Sequence, residues 1–151
     1  MMLDAFQRHL DDVSEALMTG NFDAYHALVC DPLVVTNEKS TTVITGIDQF
    51  RFGFDSYVGM LKSQHASHLM RLASAVTELG PTLLMGHYIT QILRDGHRIY
   101  GPFESALVLR LVDGVWKLAV VASSSHREDY PINVLPSAGG RAPSPKTEDK
   151  T

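Results

Sequence analysis

A chain of 151 residues with 44% hydrophobic and 20% charged side chains has the size and balance of one globular domain, which excludes a second domain and a wholly disordered chain. Its formal net charge of −4, with basic residues scattered singly as Arg51, Lys62, Arg71, Arg94, Arg98, Arg110 and Lys117, excludes the clustered cationic surface that a nucleic acid needs. Cys30 is the one cysteine, which excludes an intrachain disulfide and a thiolate metal cage and points to a reducing compartment.

No apolar run approaches the ~20 residues that span a bilayer. Asp4, Asp11 and Asp12 stand where a targeting segment would be basic or apolar, so a cytoplasmic protein without a membrane partner is expected. Cys30 reads as a small buried hydrophobe at the apolar end of a helix, Ala27-Leu28-Val29-Cys30.

Phe6, Leu10, Val13 and Leu17 recur at helical spacing among charged residues, which predicts an amphipathic helix from about Leu3 to Met18, ended by Gly20. Asn21 can cap a second, shorter helix through Phe22, Tyr25 and Leu28, which Asp31-Pro32 stops. Leu33 to Thr36 and Thr41 to Thr45 are β-branched runs around a polar turn, a small hairpin closed by Gly46. Ile47, Phe50, Phe54, Tyr57 or Val58, and Leu61 then predict a third helix from Ile47 to Ser63, with Asp48 placed well for its N-terminus.

From His65 to His126 the period becomes that of strands. Gly80-Pro81, Asp95-Gly96 and Asp113-Gly114 mark the turns, and Asp-Gly suits a type I′ hairpin because both central residues need positive φ. Four long antiparallel strands follow, with Gly86, Gly101 and Pro102 as the bend points. After Tyr130-Pro131 the composition turns to Pro, Ser, Gly, Ala and Lys, so residues 1–130 are read as the domain and 131–151 as a flexible tail, with Ile132 to Leu135 docked on the body.

The segments Thr19-Gly20-Asn21-Phe22-Asp23, Gly46-Ile47-Asp48 and Asp113-Gly114-Val115-Trp116-Lys117-Leu118, in this order, make the chain resemble the nuclear-transport-factor-2-like superfamily over about Leu3 to Ser125. That superfamily includes ketosteroid isomerase, scytalone dehydratase and the SnoaL-like polyketide cyclases. The resemblance implies an α+β cone in which three N-terminal helices pack on a strongly curved antiparallel sheet, in the order α-α-β-β-α-β-β-β-β, around a pocket of small-molecule size. Enzymes and binding modules share this cone, so function must be read from the pocket. Ketosteroid isomerases carry a carboxylate base just after the first strand. Here that place reads Thr36-Asn37-Glu38, where Asn37 cannot abstract a proton and Glu38 is out of phase unless the register slips by one residue.

The even positions Ala66, His68, Met70, Leu72 and Val76 are mostly apolar, so if they face the helices His68 points into the cone, where it is the best single candidate for a general base. For His87 and Tyr88 the alternation does not decide which one lines the pocket. Trp116 shares an inward phase with Leu118, Val120 and Ala122, and Tyr57 offers a phenol to a ligand at the mouth. Glu104 falls outward, at an interface or on the surface, and Ser123-Ser124-Ser125 beside His126 lack a nucleophile elbow.

The reading is therefore a small-molecule domain whose pocket is lined by Phe50, Phe54, Tyr57, His68, Met70, His87 and Trp116. Any catalysis would be cofactor-free proton transfer, isomerisation, dehydration or cyclisation of a hydrophobic ligand, using His68, His87 and Tyr57. The alternative is a non-catalytic interaction module with a filled cone. No metal and no cofactor is expected, since neither a phosphate-cradling loop nor ligand spacing is present. Long strands apolar on both faces predict a homodimer through the outer sheet face.

Overall fold

The structure, a computed structural model, describes residues 2–123. The expectations placed on Ser124, Ser125, His126, the Tyr130-Pro131 boundary and the tail lie outside the described residues.

Helix α1 (Met2–Thr19) buries Phe6, Leu10, Val13 and Leu17 along one stripe, as its period requires. In α2 (Phe22–His26) the Asn21 side-chain oxygen accepts the Ala24 N–H at 3.1 Å. The helix is shorter than its apolar pattern suggests, because strand β1 (Val29–Thr36) has already begun at Val29. Cys30 therefore sits half-buried on a strand and not at a helix end. Pro32 is tolerated inside β1 because the pairing of β1 with its neighbour is interrupted between Val29 and Val34.

Strand β2 (Thr41–Ile44) returns antiparallel to β1. The hairpin is closed by Asn37, whose side-chain oxygen accepts from the N–H groups of Lys39 at 2.8 Å and Ser40 at 3.0 Å. Helix α3 (Ile47–Ser63) begins at Gly46, which has no side chain to cap it. The Asp31 carboxylate anchors the residues just before the helix, accepting from Thr45 Oγ1 at 2.9 Å and from the Gly46 N–H at 3.1 Å. Phe50, Phe54, Tyr57 and Leu61 turn into the core, while Ile47, the first residue of the expected stripe, is 59% exposed. Phe54 packs edge-on against Phe22, ring centres 5.5 Å apart, which ties α3 to α2.

Strands β3 (His68–Gly80), β4 (Leu83–Arg94), β5 (His97–Val112) and β6 (Val115–Ser123) complete one sheet in the order β2-β1-β6-β5-β4-β3. The element order and α+β class are those expected. The long strands pair antiparallel, but β1 lies parallel to β6, so the sheet is mixed where a wholly antiparallel one was expected. That pairing brings the N-terminal hairpin to the far side of the sheet from β3.

Asp95 and Gly96 have φ of 51° and 84°, and Asp113 and Gly114 of 51° and 80°, the paired positive values of a type I′ turn. The sheet bends where Gly101-Pro102 is inserted opposite Gln91, between the pairs Thr90↔Phe103 and Ile92↔Tyr100. A β-carbon at Gly101 would stand 2.6 Å from the Thr90 carbonyl oxygen, and its φ is 102°, so only glycine fits this bulge. The helices lie on one face, with Phe6, Leu10, Phe50, Met60, Leu84, Ile92 and Leu109 at the centre of the core.

The edge of β3 is occupied by a side chain of α1. Gln7 Nε2 donates to the Arg71 carbonyl at 2.7 Å and Gln7 Oε1 accepts the Ala73 N–H at 2.8 Å, so one amide imitates a neighbouring strand. Among the described residues no helix is long and apolar enough to cross a membrane.

Candidate functional site

Burial alternates strictly along the middle of β4, where Leu84, Gly86, Tyr88, Thr90 and Ile92 are buried toward the helices. This settles the choice left open by the sequence: Tyr88 faces the cone and His87 faces outward. His87 pairs with Ala106, Ala106 with Ala122, and Ala122 with Thr36, giving a row in register across β4, β5, β6 and β1. The next row, Tyr88, Ser105 and Ser123, looks inward, and the Ser105 hydroxyl donates to that of Ser123 at 3.4 Å.

The outward row floors a cleft of about 460 Å³ that is open to solvent, with Asn37, Glu38 and Glu104 completing its wall and Tyr88, Ser105 and Ser123 bordering it. Its hollow has a simple cause. Ala106 and Ala122 put methyl groups where neighbouring rows carry larger side chains, while His87 and Glu104 rise on either side. Since His87 pairs with Ala106, Glu104 is its diagonal neighbour two residues along β5, on the same outward face. An imidazole and a carboxylate thus stand over an apolar floor. Asn37 has its side-chain oxygen committed to the hairpin turn, so its part in the lining is structural.

Tyr88 belongs also to a second group inside the cone. On β3 the buried Leu69 and the half-buried Arg71 and Ala73 face inward, while Met70 and Leu72 are 37% and 48% exposed. The Arg71 guanidinium lies 5.8 Å from the centre of the Tyr88 ring, within cation–π range. Burial pushes the phenols of Tyr25 and Tyr57 above their ordinary pKa, and the nearby Arg71 charge opposes that rise in both. Arg71 stands near enough to the Tyr57 oxygen to act on it by charge and as a donor. No hydrogen bond of good geometry is made to that oxygen, so the attraction is mainly through space. His9 completes the group: desolvation lowers its pKa, the hydrogen bond to the Leu28 carbonyl at 3.0 Å opposes this, Arg71 lowers it further and Asp12 raises it.

These positions correct several expectations. His68 is exposed, its Nδ1 3.1 Å from Ser67 Oγ, and it does not enter the cone. Met70 also faces outward. The cause is a register shift between Ala73 and Ala75, which splits the even positions: His68, Met70 and Leu72 fall outward before it, and Val76 packs against the core after it. A second shift at Ala119 keeps Trp116 and Leu118 inward but sends Val120 and Ala122 to the other face, contrary to a single phase for all four. Phe50, Phe54 and Tyr57 are core side chains, and Trp116 is half-buried against that core. Of the seven pocket residues expected, His87 lines the cleft. Glu104 and the alanine floor were missed as site residues, because alternation alone does not mark a hollow on the outward face.

Among the described residues no group of three or more His, Cys, Asp or Glu side chains is placed to hold a metal ion. The model of the SnoaL-like domain family matches residues 7–127, and the chain belongs to that family. Solved structures agree on the fold. An NTF-2 like protein of unknown function from Shewanella oneidensis MR-1 is 16% identical with a TM-score of 0.63, covering 83% of this chain and 100% of its own. A candidate ketosteroid isomerase from Shewanella frigidimarina is 14% identical with a TM-score of 0.58, covering 78% of this chain and 92% of its own. An NTF2-like protein from Cytophaga hutchinsonii is 14% identical with a TM-score of 0.54, over 82% and 97% respectively. No curated protein matches the chain.

Proposed function

We propose that the chain is a small-molecule-binding domain that takes a largely apolar ligand in the cleft beside the ends of β1 and β6, with His87 and Glu104 as its polar contacts. The observation that carries this reading is the cleft itself: about 460 Å³, floored by Ala106 and Ala122 and flanked by an imidazole and a carboxylate. Pockets for small organic molecules have this size and this mixture of apolar floor and few polar groups. The chemistry such a pair supports without a cofactor is proton transfer, in which His87 accepts a proton from the ligand and returns it at a second position. The fold relative named as a candidate ketosteroid isomerase is consistent with isomerisation of this kind on the same scaffold.

The test is a thermal-shift screen of small hydrophobic carbonyl compounds and acids, because a ligand that binds the native state raises its midpoint. A hit should be lost in Ala106→Phe, which fills the floor, and weakened in His87→Ala. A hit of undiminished affinity in Ala106→Phe places the ligand elsewhere and overturns the cleft reading.

We also propose a homodimer through the outer sheet face. Val34, Val120, Val108 and Met85 pair across four strands on the face away from the helices, and Leu72 and Met70 are exposed on the same face further along, beyond His87. Two such faces are self-complementary, as a two-fold interface requires.

A further inference from the structure

The outer face of the sheet is graded in charge along its strands. On β5 the outward positions run Glu104, Ala106, Val108 and Arg110, since Leu107 and Leu109 between them are buried toward the helices. The row through Val108 is apolar on four strands, with Met85, Val120 and Val34. Two residues along β5 to one side, about 7 Å away, lies the row of Ala106 and Ala122 that floors the cleft, with Glu38 and Glu104 in its wall. Two residues to the other side, Arg110 pairs directly with Lys117. Like charges directly opposite on neighbouring strands repel, so this pair is costly unless an acidic surface faces it. The cleft in turn is open to solvent, whereas sites for small molecules bury most of the ligand's surface.

The geometry points to one sense of pairing for two copies of the chain: the two-fold axis crosses the strands at the Val108 row, and Arg110 and Lys117 of the partner subunit roof the cleft. This rests on the dimer reading above and adds which residues of the second copy complete the site. An axis lying in the interface and across the strands turns each step from Val108 toward Arg110 into an equal step toward Ala106 on the facing copy. Arg110 of the partner subunit then stands over Ala106, within reach of Glu104, and Lys117 of the partner subunit stands over Ala122, on the side of Glu38. The small side chains that hollow the cleft leave room for these long ones. Glu38 and Glu104 also make other contacts within the chain, and a carboxylate accepts more than one donor. By symmetry the arrangement is made twice. An axis along the strands would instead set the Arg110 and Lys117 pair against the same two cations, which like-charge repulsion disfavours. A ligand on the alanine floor is enclosed only in the dimer.

The test uses the full chain and sedimentation equilibrium at low salt. Arg110→Glu sets a carboxylate against Glu104 and should raise the dimer Kd at least about tenfold, and Glu104→Arg should do the same by bringing cations together. An equimolar mixture of the two variants should dimerise again with a Kd within about threefold of wild type, because both contacts between unlike chains then join opposite charges. Circular dichroism melts establish that each chain is folded, and Arg110→Ala, which should weaken the dimer severalfold, keeps the test available if a charge reversal does not fold. An Arg110→Glu dimer as tight as wild type overturns this sense of pairing and leaves the dimer standing. So does a mixture no tighter than its components, which would place the effect within one chain. A wild-type chain that is monomeric throughout overturns both the pairing and the dimer, and leaves the ligand screen to decide the cleft.

Discussion

The ring of Phe6 on α1 lies directly on the backbone of Gly86 on β4, so that a β-carbon at Gly86 would stand 2.5 Å from Phe6 Cζ. The contact brings α1 down onto the middle of the sheet, and it fixes which face of β4 is interior, since Gly86 must point at the helix and His87 away from it. Gly86→Ala should therefore destabilise the chain by about 1–3 kcal/mol, the usual range for overpacking a well-filled core. Chemical denaturation would measure it. The double variant Phe6→Leu with Gly86→Ala should be less destabilised than the sum of the two single changes, because the clash and the ring are removed together. Strict additivity would mean that the helix does not pack there.

His9 is 3% exposed and donates Nε2–H to the Leu28 carbonyl, while its Nδ1 has no hydrogen-bond partner. Desolvation holds its folded pKa below the ordinary 6.5. The unfolded chain therefore binds the proton more readily, and stability is lost as pH falls through 6.5 toward the folded value, with a slope of at most about 1.4 kcal/mol per pH unit. Urea midpoints between pH 7.5 and pH 5 should show this decline. His9→Gln, which retains a donor for Leu28 and cannot titrate, should flatten it; an equal decline in that variant would assign the effect to other groups.

Asp31 joins two elements that are distant in sequence, accepting from Thr45 and Gly46 at the start of α3. Asp31→Ala removes both acceptors and should cost about 1 kcal/mol, the usual net worth of a hydrogen bond. Asp31→Asn keeps one acceptor oxygen and should cost less. A melt unchanged in Asp31→Ala would show that water satisfies these donors equally well.

The elements that the sequence reveals are those governed by local rules. Asp95-Gly96 and Asp113-Gly114 adopt the positive φ their residue types favour, and α3 runs from Ile47 to Ser63 as its aromatic stripe requires. The face of each strand is another matter, because alternation separates two sets without saying which one meets the helices. On β3 both sets hold apolar residues, and the outward Met70 and Leu72 resemble a core stripe until the Ala73/Ala75 shift is known. His68 was misplaced for that reason. The parallel pairing of β1 with β6 is set by contacts far apart in sequence, and the cleft is a product of that pairing, since Thr36 and Ala122 meet only there.

The outward apolar rows lead to a last expectation, about assembly. Val34, Val120, Val108 and Met85 are half-buried on the face of the sheet opposite the helices. They form an apolar row of the sort that marks an interface in a soluble protein, and Leu72 and Met70 are exposed further along the same face. Sedimentation equilibrium at tens of micromolar should give about twice the 16.6 kDa chain mass. Val108→Lys places a charge near the middle of that surface, where it pairs with Val120 and Met85, and a symmetric interface brings two such charges together. The variant should sediment as a single chain while its helical content is unchanged. A wild-type chain that remains a monomer across this range, with its outer valines in water, would remove the dimer and require another occupant for the face.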